Sequence, residues 1–317
     1  MKSTGRFTTE LRRLMADSYD VCRSCGSRLE TDVAAYAGYA SDGTPLFVGN
    51  CCKSLLSELA THVYWWWEAD KRCAPDTVLW RFMDFAKFTA LLDQRAVYFA
   101  RADKLGDRYE GAAGITERQL NWDTFYLDFF RQAIKTAPGQ TKQPTDQHIE
   151  REAARLLADF TAASERDRLC SFVSCWHSNN VESEALWRLY CPPSSSGVAI
   201  RTDAGSLMRS LDDDPKIRIG RVQYVDFRKG YAGLHDRVFW KRMSLSHEAE
   251  VRAVIKEPQP QDQSGLLIPV DLTQLFLAIV PSPFASPWFP DILKATMRRF
   301  DVDAPVVSSE LLSEPFF

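Results

Sequence analysis

Apolar residues recur along most of the chain in short runs, some at every second position and others at helical spacing. The run over residues 78–83 predicts a strand, followed by a helix over 85–94 and a strand over 96–101. Later runs predict strands over 169–177, 197–202, 217–227, 250–255, 266–270 and 278–280, and helices over 182–190 and 287–300. Strands and helices without regular alternation are typical of an α+β fold, here a mixed β-sheet core with flanking helices.

The pattern divides the chain into two predicted domains. Residues 1–74 are predicted to form a small zinc-ribbon-like module, with a helical or disordered lead to about residue 20, strands near 33–36 and 45–48, and a helix over 54–67. Pro75 and its neighbours break the pattern, so the α+β domain is predicted over residues 75–317. A helical insertion at about 118–165 is expected inside it, interrupted near Pro138 and Pro144.

Composition narrows the class of protein. A chain of 317 residues with 45% hydrophobic content can bury a sizeable core, and its net charge of -3 gives no overall basic field. Tight non-specific DNA binding is therefore disfavoured, and nucleic-acid contact would need a local basic patch. No apolar run approaches the roughly 20 residues that span a bilayer, and the start lacks the apolar middle of a secretion signal. We expect no membrane segment and a cytoplasmic location.

The early cysteines predict a structural zinc site. Cys22 and Cys25 form a CxxC pair followed by a glycine, and Cys51 and Cys52 lie at a plausible distance for the second ligand pair. Neighbours in a strand point oppositely, so a bent turn would have to present both Cys51 and Cys52. Otherwise His62 or Cys73 could replace one of them. The alternative interpretation is a set of small buried thiols.

Common enzyme signatures are missing from the sequence. It contains no GxGxxG, GxxxxGK[ST], HExxH or nucleophile-elbow motif. Kinase, P-loop, Rossmann, zinc-protease and α/β-hydrolase functions are therefore disfavoured.

Charged residues in two stretches, 98–110 and 247–254, predict a polar cleft lined by strand edges. Glu248 and Glu250 are two residues apart, which puts both on one strand face, and Arg252 continues that face. Two carboxylates at this spacing raise each other's pKa unless a cation is near. Either the residues of this face form a surface ladder of ion pairs, or one of the glutamates is a catalytic or substrate-orienting group. Asp107 and Glu110 follow a glycine, which is typical of a turn held by ion pairs.

Two further residues are candidates for the cleft. His177 lies at the predicted end of a strand, close to the following helix. Glu184 shares a face of that helix with Trp187, so its carboxylate could lie over the cleft while the indole anchors the helix. Cys175 is interpreted as a buried core thiol, and Glu182 as a first-turn residue favoured by the helix dipole.

The chain from about residue 78 to 315 resembles an uncharacterised bacterial domain family. The matching motifs are Leu79-Trp80-Arg81-Phe82, a strand reading FxxxxxxxDxxE over 99–110, Ser174-Cys175-Trp176, and the segments 187–190, 197–200 and 248–252. The resemblance implies membership of a family found in defence contexts and little about chemistry.

A more distant resemblance is to ADP-ribosyltransferases, especially bacterial toxins that modify DNA bases. Segment 249–254 is similar to the late strand of that fold, which implies Glu250 as the catalytic glutamate. The resemblance also implies NAD as substrate, Arg81 and Arg101 as holders of its pyrophosphate, and Tyr98 as a stacking partner of nicotinamide. Arg81 stands where such enzymes often have a histidine. The other residues expected around the nucleotide are Asp107, Glu110, His177, Glu184, Glu248 and Arg252.

The leading hypothesis is an ADP-ribosyltransferase-like enzyme, a toxin or phage-defence effector, acting on a nucleic-acid or protein acceptor. The second is a non-catalytic module that binds a nucleotide in the cleft and recruits a partner through the zinc ribbon. The third is a metal-dependent nuclease or hydrolase that uses Asp103, Asp107, Glu110 and the late glutamates.

Overall fold

A computed structural model describes residues 73–137, 143–191, 196–212, 214, 216–233, 237–257 and 262–317, together with the backbone of three short strands nearer the start. Those three strands are β1 (Leu11–Arg13), β2 (Ala34–Tyr39) and β3 (Pro45–Gly49), and they form an antiparallel sheet in that order. β2 and β3 confirm the strands predicted near 33–36 and 45–48. β1 shows that residues 11–13 are extended rather than helical or disordered. The helix predicted over 54–67 lies outside the described residues.

The main sheet is built from eight strands of the described chain. In chain order the strands after β3 are β4 (Val78–Asp84), β5 (Ala96–Arg101), β6 (Ser171–Ser178), β7 (Gly197–Asp203), β8 (Ile217–Arg221), β9 (Gln223–Val225), β10 (Trp240–Arg242), β11 (Glu250–Lys256), β12 (Gly265–Pro269) and β13 (Ala278–Pro281). The main sheet has the order β12-β5-β6-β4-β7-β13, and β11 pairs with both β6 and β8. Its pairings in the described residues are antiparallel, so the predicted mixed sheet is corrected. β9 and β10 form a separate parallel pair.

β6 is the strand at which the sheet divides. One edge of β6 pairs with β11 along its length, from His177 opposite Glu250 to Ser171 opposite Lys256. On the other edge, the start of β6 pairs with β5 and its end pairs with β4. β4 and β5 therefore separate beside residues 174–176, where neither ladder continues. This opening positions the site described below.

Helices flank the sheet and account for most of the predicted helical segments. They are α1 (Phe85–Gln94), α2 (Gln119–Lys135), α3 (Asp146–Cys170), α4 (Glu184–Tyr190), α5 (Ala204–Ser210), α6 (Leu272–Leu275) and α7 (Phe289–Arg299). α1 has the predicted bounds and is capped at its N-terminus by Asp84, whose side chain accepts a hydrogen bond from the backbone N–H of Lys87. α2 and α3 form the predicted insertion, although α3 continues five residues past the predicted end. α5 was missed because Gly205 and Ser206 weaken the helical signal.

The largest apolar cluster lies between one face of the sheet and helices α1, α5, α6 and α7. Strand alternation decides which side chains enter it. On β5, Val97 and Phe99 are fully buried in this cluster, whereas Tyr98 is 44% exposed. Because every second side chain of β5 and β11 packs into this cluster, the side chains between them point away from these helices.

Glu182 has a structural role that differs from the predicted one. It precedes α4 and is buried, and its carboxylate accepts hydrogen bonds from the indole of Trp187 at 2.8 Å, the hydroxyl of Ser309 at 2.6 Å and the backbone N–H of Glu310 at 2.7 Å. Three donors neutralise much of the cost of burying the charge. Glu182 therefore joins α4 to the C-terminal segment instead of lying in the first turn of the helix.

Candidate functional site

A cavity of about 740 Å³ lies where β4 and β5 separate. α1 connects these two strands, and its residues line one part of the cavity, while side chains of β6 and β11 line another. A volume of this size falls within the range of small-molecule and cofactor pockets. The cavity is therefore the candidate functional site.

Eight of the ten predicted non-metal site residues line this cavity. They are Arg81, Tyr98, Asp107, Glu110, His177, Glu248, Glu250 and Arg252. They come from four strands and two connecting segments that are far apart in the sequence. The sequence analysis did not assign six further polar residues of the lining to the site, which are Lys87, Gln94, Cys175, Tyr190, Lys241 and Arg242.

Arg101 and Glu184, two of the residues predicted around the nucleotide, lie outside the cavity lining. On β5 the lining residues are Ala96, Tyr98 and Ala100, so alternation turns Arg101 to the other face. Its guanidinium bonds Asp103 at 2.6 Å and 3.1 Å. Glu184 is exposed on α4 and forms an i,i+4 ion pair with Arg188 at 2.7 Å. Neither residue is placed to contact a ligand in this cavity.

Arg252 is the centre of a buried ion-pair network. Its guanidinium donates two hydrogen bonds of 2.7 Å to the carboxylate of Glu110, and two of 2.8 Å and 3.1 Å to that of Glu250. It also donates to the carbonyl oxygen of Val238. Arg252 is completely buried and both glutamates are 2% exposed. The face carrying Glu250 and Arg252 is therefore no surface ladder, because it lies in the interior.

Lys241 is the second cation of the network. Its Nζ lies 2.6 Å from Glu248, 3.0 Å from Glu250 and 4.0 Å from Glu110. Three carboxylates thus share two cations, which leaves a formal charge of one negative unit on this wall. Lys241 lies on the short strand β10, whose three residues give little periodic signal. The sequence pointed to such a cation only indirectly, because two closely spaced glutamates stay ionised when a positive charge lies nearby.

Glu250 is held in its ionised form. Burial acts to raise its pKa, but the charges of Arg252 and Lys241 and the hydrogen bond from Arg252 outweigh burial and lower the pKa to about 2. The same ion pairs raise the pKa of Lys241 and Arg252 despite their burial. At neutral pH the cavity wall therefore presents a fixed carboxylate rather than a carboxylic acid.

The backbone before β11 presents Glu248 and Glu250 by a turn rather than along one strand. Glu248 ends a 3₁₀ helix (Met243–Glu248), and Ala249 has a left-handed conformation with φ of 42°. The N–H of Glu250 donates to the hydroxyl of Tyr224 at 2.8 Å. The two glutamates converge on Lys241 as the common-face prediction required, but a turn brings them together.

Asp107 and Glu110 lie in a turn, so the predicted strand over 99–110 is corrected. β5 ends at Arg101, and a 3₁₀ helix (Ala102–Lys104) follows. Asp107 forms an ion pair with Arg242 at 3.2 Å and accepts from the backbone N–H of Tyr109. These contacts agree with a turn held by ion pairs, which carries Glu110 to Arg252.

Arg81 has a different environment from Arg252. Its guanidinium donates to the hydroxyl of Ser174 at 2.9 Å and to the carbonyl oxygen of Tyr98 at 3.3 Å, and lies 5.4 Å from the ring of Trp176. In the described part of the chain no carboxylate forms an ion pair with it. Burial lowers its pKa. A half-buried guanidinium without an acidic partner, beside the half-exposed ring of Tyr98, can receive an anion.

His177 and Cys175 extend the wall along β6. His177 is 5% exposed and its Nδ1 lies 3.0 Å from the carbonyl oxygen of Glu248. The ring of Tyr190 stands 5.3 Å from that of His177. Cys175 lies opposite Arg252 in the ladder, and burial together with the charge of Glu250 raises its pKa well above the ordinary value. Cys175 is thus a protonated thiol of the cavity wall rather than a fully buried core residue.

The predicted zinc ligands Cys22, Cys25, Cys51 and Cys52, and the alternative ligand His62, lie outside the described residues. Cys73 is described and is fully buried in the main apolar cluster. In the described ranges no group of three or more histidine, cysteine or acidic residues is arranged to hold a metal ion.

The chain matches no protein-family model, no curated protein and no solved structure. Among the described helices, none combines the length and apolar character needed to cross a bilayer.

Proposed function

We propose that the cavity binds a nucleotide and that the protein is an ADP-ribosyltransferase-like enzyme, which transfers ADP-ribose from NAD to a nucleic-acid or protein acceptor. The observation that carries the proposal is that Arg81, Tyr98 and Glu250 line one cavity. These residues come from β4, β5 and β11, so their convergence depends on the division of the sheet at β6.

Glu250 is suited to stabilise positive charge in the proposed reaction. Departure of nicotinamide leaves an oxocarbenium-like ribose, and a fixed carboxylate beside it lowers the energy of that state. The ion pairs with Arg252 and Lys241 keep Glu250 ionised and fix its orientation. Such preorganisation avoids the cost of reorienting the carboxylate during the reaction.

Arg81 and Tyr98 are suited to hold the nucleotide. Arg81 keeps its charge without an acidic partner in the described chain, so a pyrophosphate would supply the missing counter-charge. Tyr98 is 44% exposed and borders the cavity, which makes its ring accessible for stacking on a planar heterocycle. The cationic and anionic groups together match a ligand with phosphates and a positively charged ring.

The nuclease hypothesis has less support because of how the carboxylates are used. Glu110 and Glu250 direct their oxygens to Arg252, and Glu248 directs Oε2 to Lys241. A divalent ion would have to compete with both cations for these oxygens. A non-catalytic nucleotide-binding module uses the same cavity, so turnover is the measurement that separates it from the enzyme.

The test is release of nicotinamide from labelled NAD by the wild-type protein and by Glu250→Gln, with and without nucleic-acid and protein acceptors. We expect wild-type release and a loss of about 100-fold or more in Glu250→Gln, since preorganised charge contributes on that scale. Glu184→Gln is the matched control, because Glu184 is exposed and outside the cavity, and it should retain wild-type turnover. Binding of NAD without release in any condition would overturn the enzymatic proposal in favour of a binding module.

A further inference from the structure

His177 presents one specific tautomer in the cavity. It lies at the end of β6, opposite Glu250 in the antiparallel ladder, and belongs to the cavity lining. Its Nδ1 is 3.0 Å from the carbonyl oxygen of Glu248. Because a carbonyl oxygen only accepts hydrogen bonds, Nδ1 carries the ring proton and Nε2 carries the lone pair.

The lone pair on Nε2 is available to a ligand. No residue of the described chain makes a hydrogen bond to Nε2 of His177. Protein atoms do not fully enclose this nitrogen. It therefore reaches the open space of the cavity. Few buried histidines leave a nitrogen unused unless a ligand or water takes it.

Charged and titratable groups surround the ring of His177 on several elements. Glu250 faces it from β11, Glu248 from the turn before β11, Lys241 from β10, Tyr190 from α4, and Cys175 lies two residues earlier on β6. Burial is the largest influence and lowers the pKa of His177, and the charge of Lys241 acts in the same direction. The carbonyl of Glu248 and the two carboxylates oppose this only in part. The ring is neutral at neutral pH, which agrees with a free lone pair.

A reaction at this cavity needs a proton acceptor other than Glu250. The pKa of Glu250 is lowered to about 2. Both of its carboxylate oxygens accept hydrogen bonds from Arg252, and one of them also forms an ion pair with Lys241. A carboxylate that binds protons so weakly is a poor general base. Two groups whose environments differ in this way commonly divide the roles of charge stabiliser and base.

We infer that His177 is the general base of the proposed transfer, and that its Nε2 takes the proton of a neutral acceptor carrying an O–H or N–H group. This inference rests on the proposed function. The bond between C1′ of the ribose and the pyridinium nitrogen breaks, and its electron pair leaves with nicotinamide. The acceptor's lone pair forms the new bond to C1′, its proton passes to Nε2, and His177 then releases that proton to water.

The kinetic test uses NAD with water as the simplest acceptor. The amide nitrogen of His177→Asn can replace Nδ1 as donor to the Glu248 carbonyl, whereas the lone pair at Nε2 is lost. We expect the kcat for NAD hydrolysis to fall about 100-fold or more, as for removal of a general base. The wild-type kcat should rise with pH through the pKa of His177 and then level off, and this limb should be absent in the variant. A change confined to KM would overturn the role as a base.

His177→Gln and a spectroscopic measurement separate a catalytic role from a structural one. Gln keeps a polar group near the position of Nε2 without its basicity, so it should lose turnover as His177→Asn does. Nitrogen-15 NMR of the wild-type imidazole should show protonated Nδ1 and unprotonated Nε2 at neutral pH, and a titration below the ordinary histidine pKa. Protonated Nε2 would overturn the inference, and this measurement decides the case in which neither variant folds.

The outcomes for the two proposals are distinct. Wild-type turnover that persists in both His177 variants overturns the assigned base and leaves the proposed function standing. A wild-type protein that binds NAD and releases no nicotinamide overturns the proposed function, and with it the role of His177 in transfer.

Discussion

Arg252 and Glu110 are 142 residues apart in the sequence and form a two-point ion pair with both N–O distances at 2.7 Å. Both side chains are buried, at 0% and 2% exposure. The pair attaches the turn after β5 to the middle of β11. Since Arg252 also binds Glu250, this contact links the stability of the sheet to the orientation of the candidate catalytic carboxylate.

Removing the charge of Glu110 should destabilise the fold. Glu110→Gln leaves the buried charge of Arg252 without one of its two carboxylates. Breaking a buried ion pair from one side costs about 3–5 kcal/mol, so we expect a loss near the lower end of that range because Glu250 remains. The measurement is the free energy of unfolding from urea titration.

The matched control for that experiment is Glu184→Gln, which removes one partner of an exposed pair with Arg188. Exposed pairs contribute about 0–1 kcal/mol, so its free energy of unfolding should stay close to wild type. Equal losses in the two variants would contradict a special contribution from the buried network.

Stability should fall with acidification through Glu250. The pKa of Glu250 is lowered to about 2 in the folded protein by Arg252 and Lys241, against about 4.3 in the unfolded chain. The folded state thus binds protons less readily, so the stabilisation is complete above about pH 5 and is lost as the pH falls towards 2. This difference of pKa corresponds to roughly 3 kcal/mol of stability.

The measurement is the free energy of unfolding of wild type and Glu250→Gln between neutral pH and pH 3. Wild type should lose stability more steeply, because the variant lacks this titrating group. Parallel curves for the two proteins would show that Glu250 has an ordinary pKa in the folded state.

Arg81 and Arg101 should differ in their effect on nucleotide binding. Arg81→Gln removes the guanidinium that lines the cavity without an acidic partner in the described chain. A hydrogen bond to a charged group contributes about 1.5–3 kcal/mol, so affinity for ADP-ribose should fall about 10-fold or more. Calorimetry with ADP-ribose measures this. Arg101→Gln should retain wild-type affinity, since Arg101 bonds Asp103 outside the cavity lining, and an equal loss in both variants would contradict this placement of the ligand.

Local sequence patterns predicted individual helices and strands well where apolar side chains recur at clear helical or strand spacing. The bounds of α1 and β5 agree with the prediction, because Phe88, Leu91 and Leu92 have helical spacing and Val97 and Phe99 have strand spacing. The same alternation places Tyr98 and Arg101 on opposite faces of β5, so a regular strand cannot present both side chains to one ligand. Short elements such as α5 and β10 gave too few periods to be recognised.

The sequence predicted most of the charged residues of the site, but it did not predict the contacts between them. Glu250, Arg252 and Glu110 were singled out by charge in otherwise apolar surroundings, which a single sequence can reveal. Lys241 was missed because it becomes part of the site only when β10 approaches β11. His177 was identified as a cleft candidate, but its tautomer depends on the carbonyl of Glu248, which no sequence pattern specifies.

By itself the sequence determined most of the longer strands and helices and which charges cannot be left unpaired, because both follow from neighbouring side chains and the cost of burying charge. Only the tertiary structure decided that β4 and β5 separate along β6 and that Glu110, Lys241 and Arg252 meet at Glu250. Strand pairing depends on hydrogen bonds between backbones that are remote in the chain, and many registers satisfy the same alternation. Packing of the apolar core selects one of them.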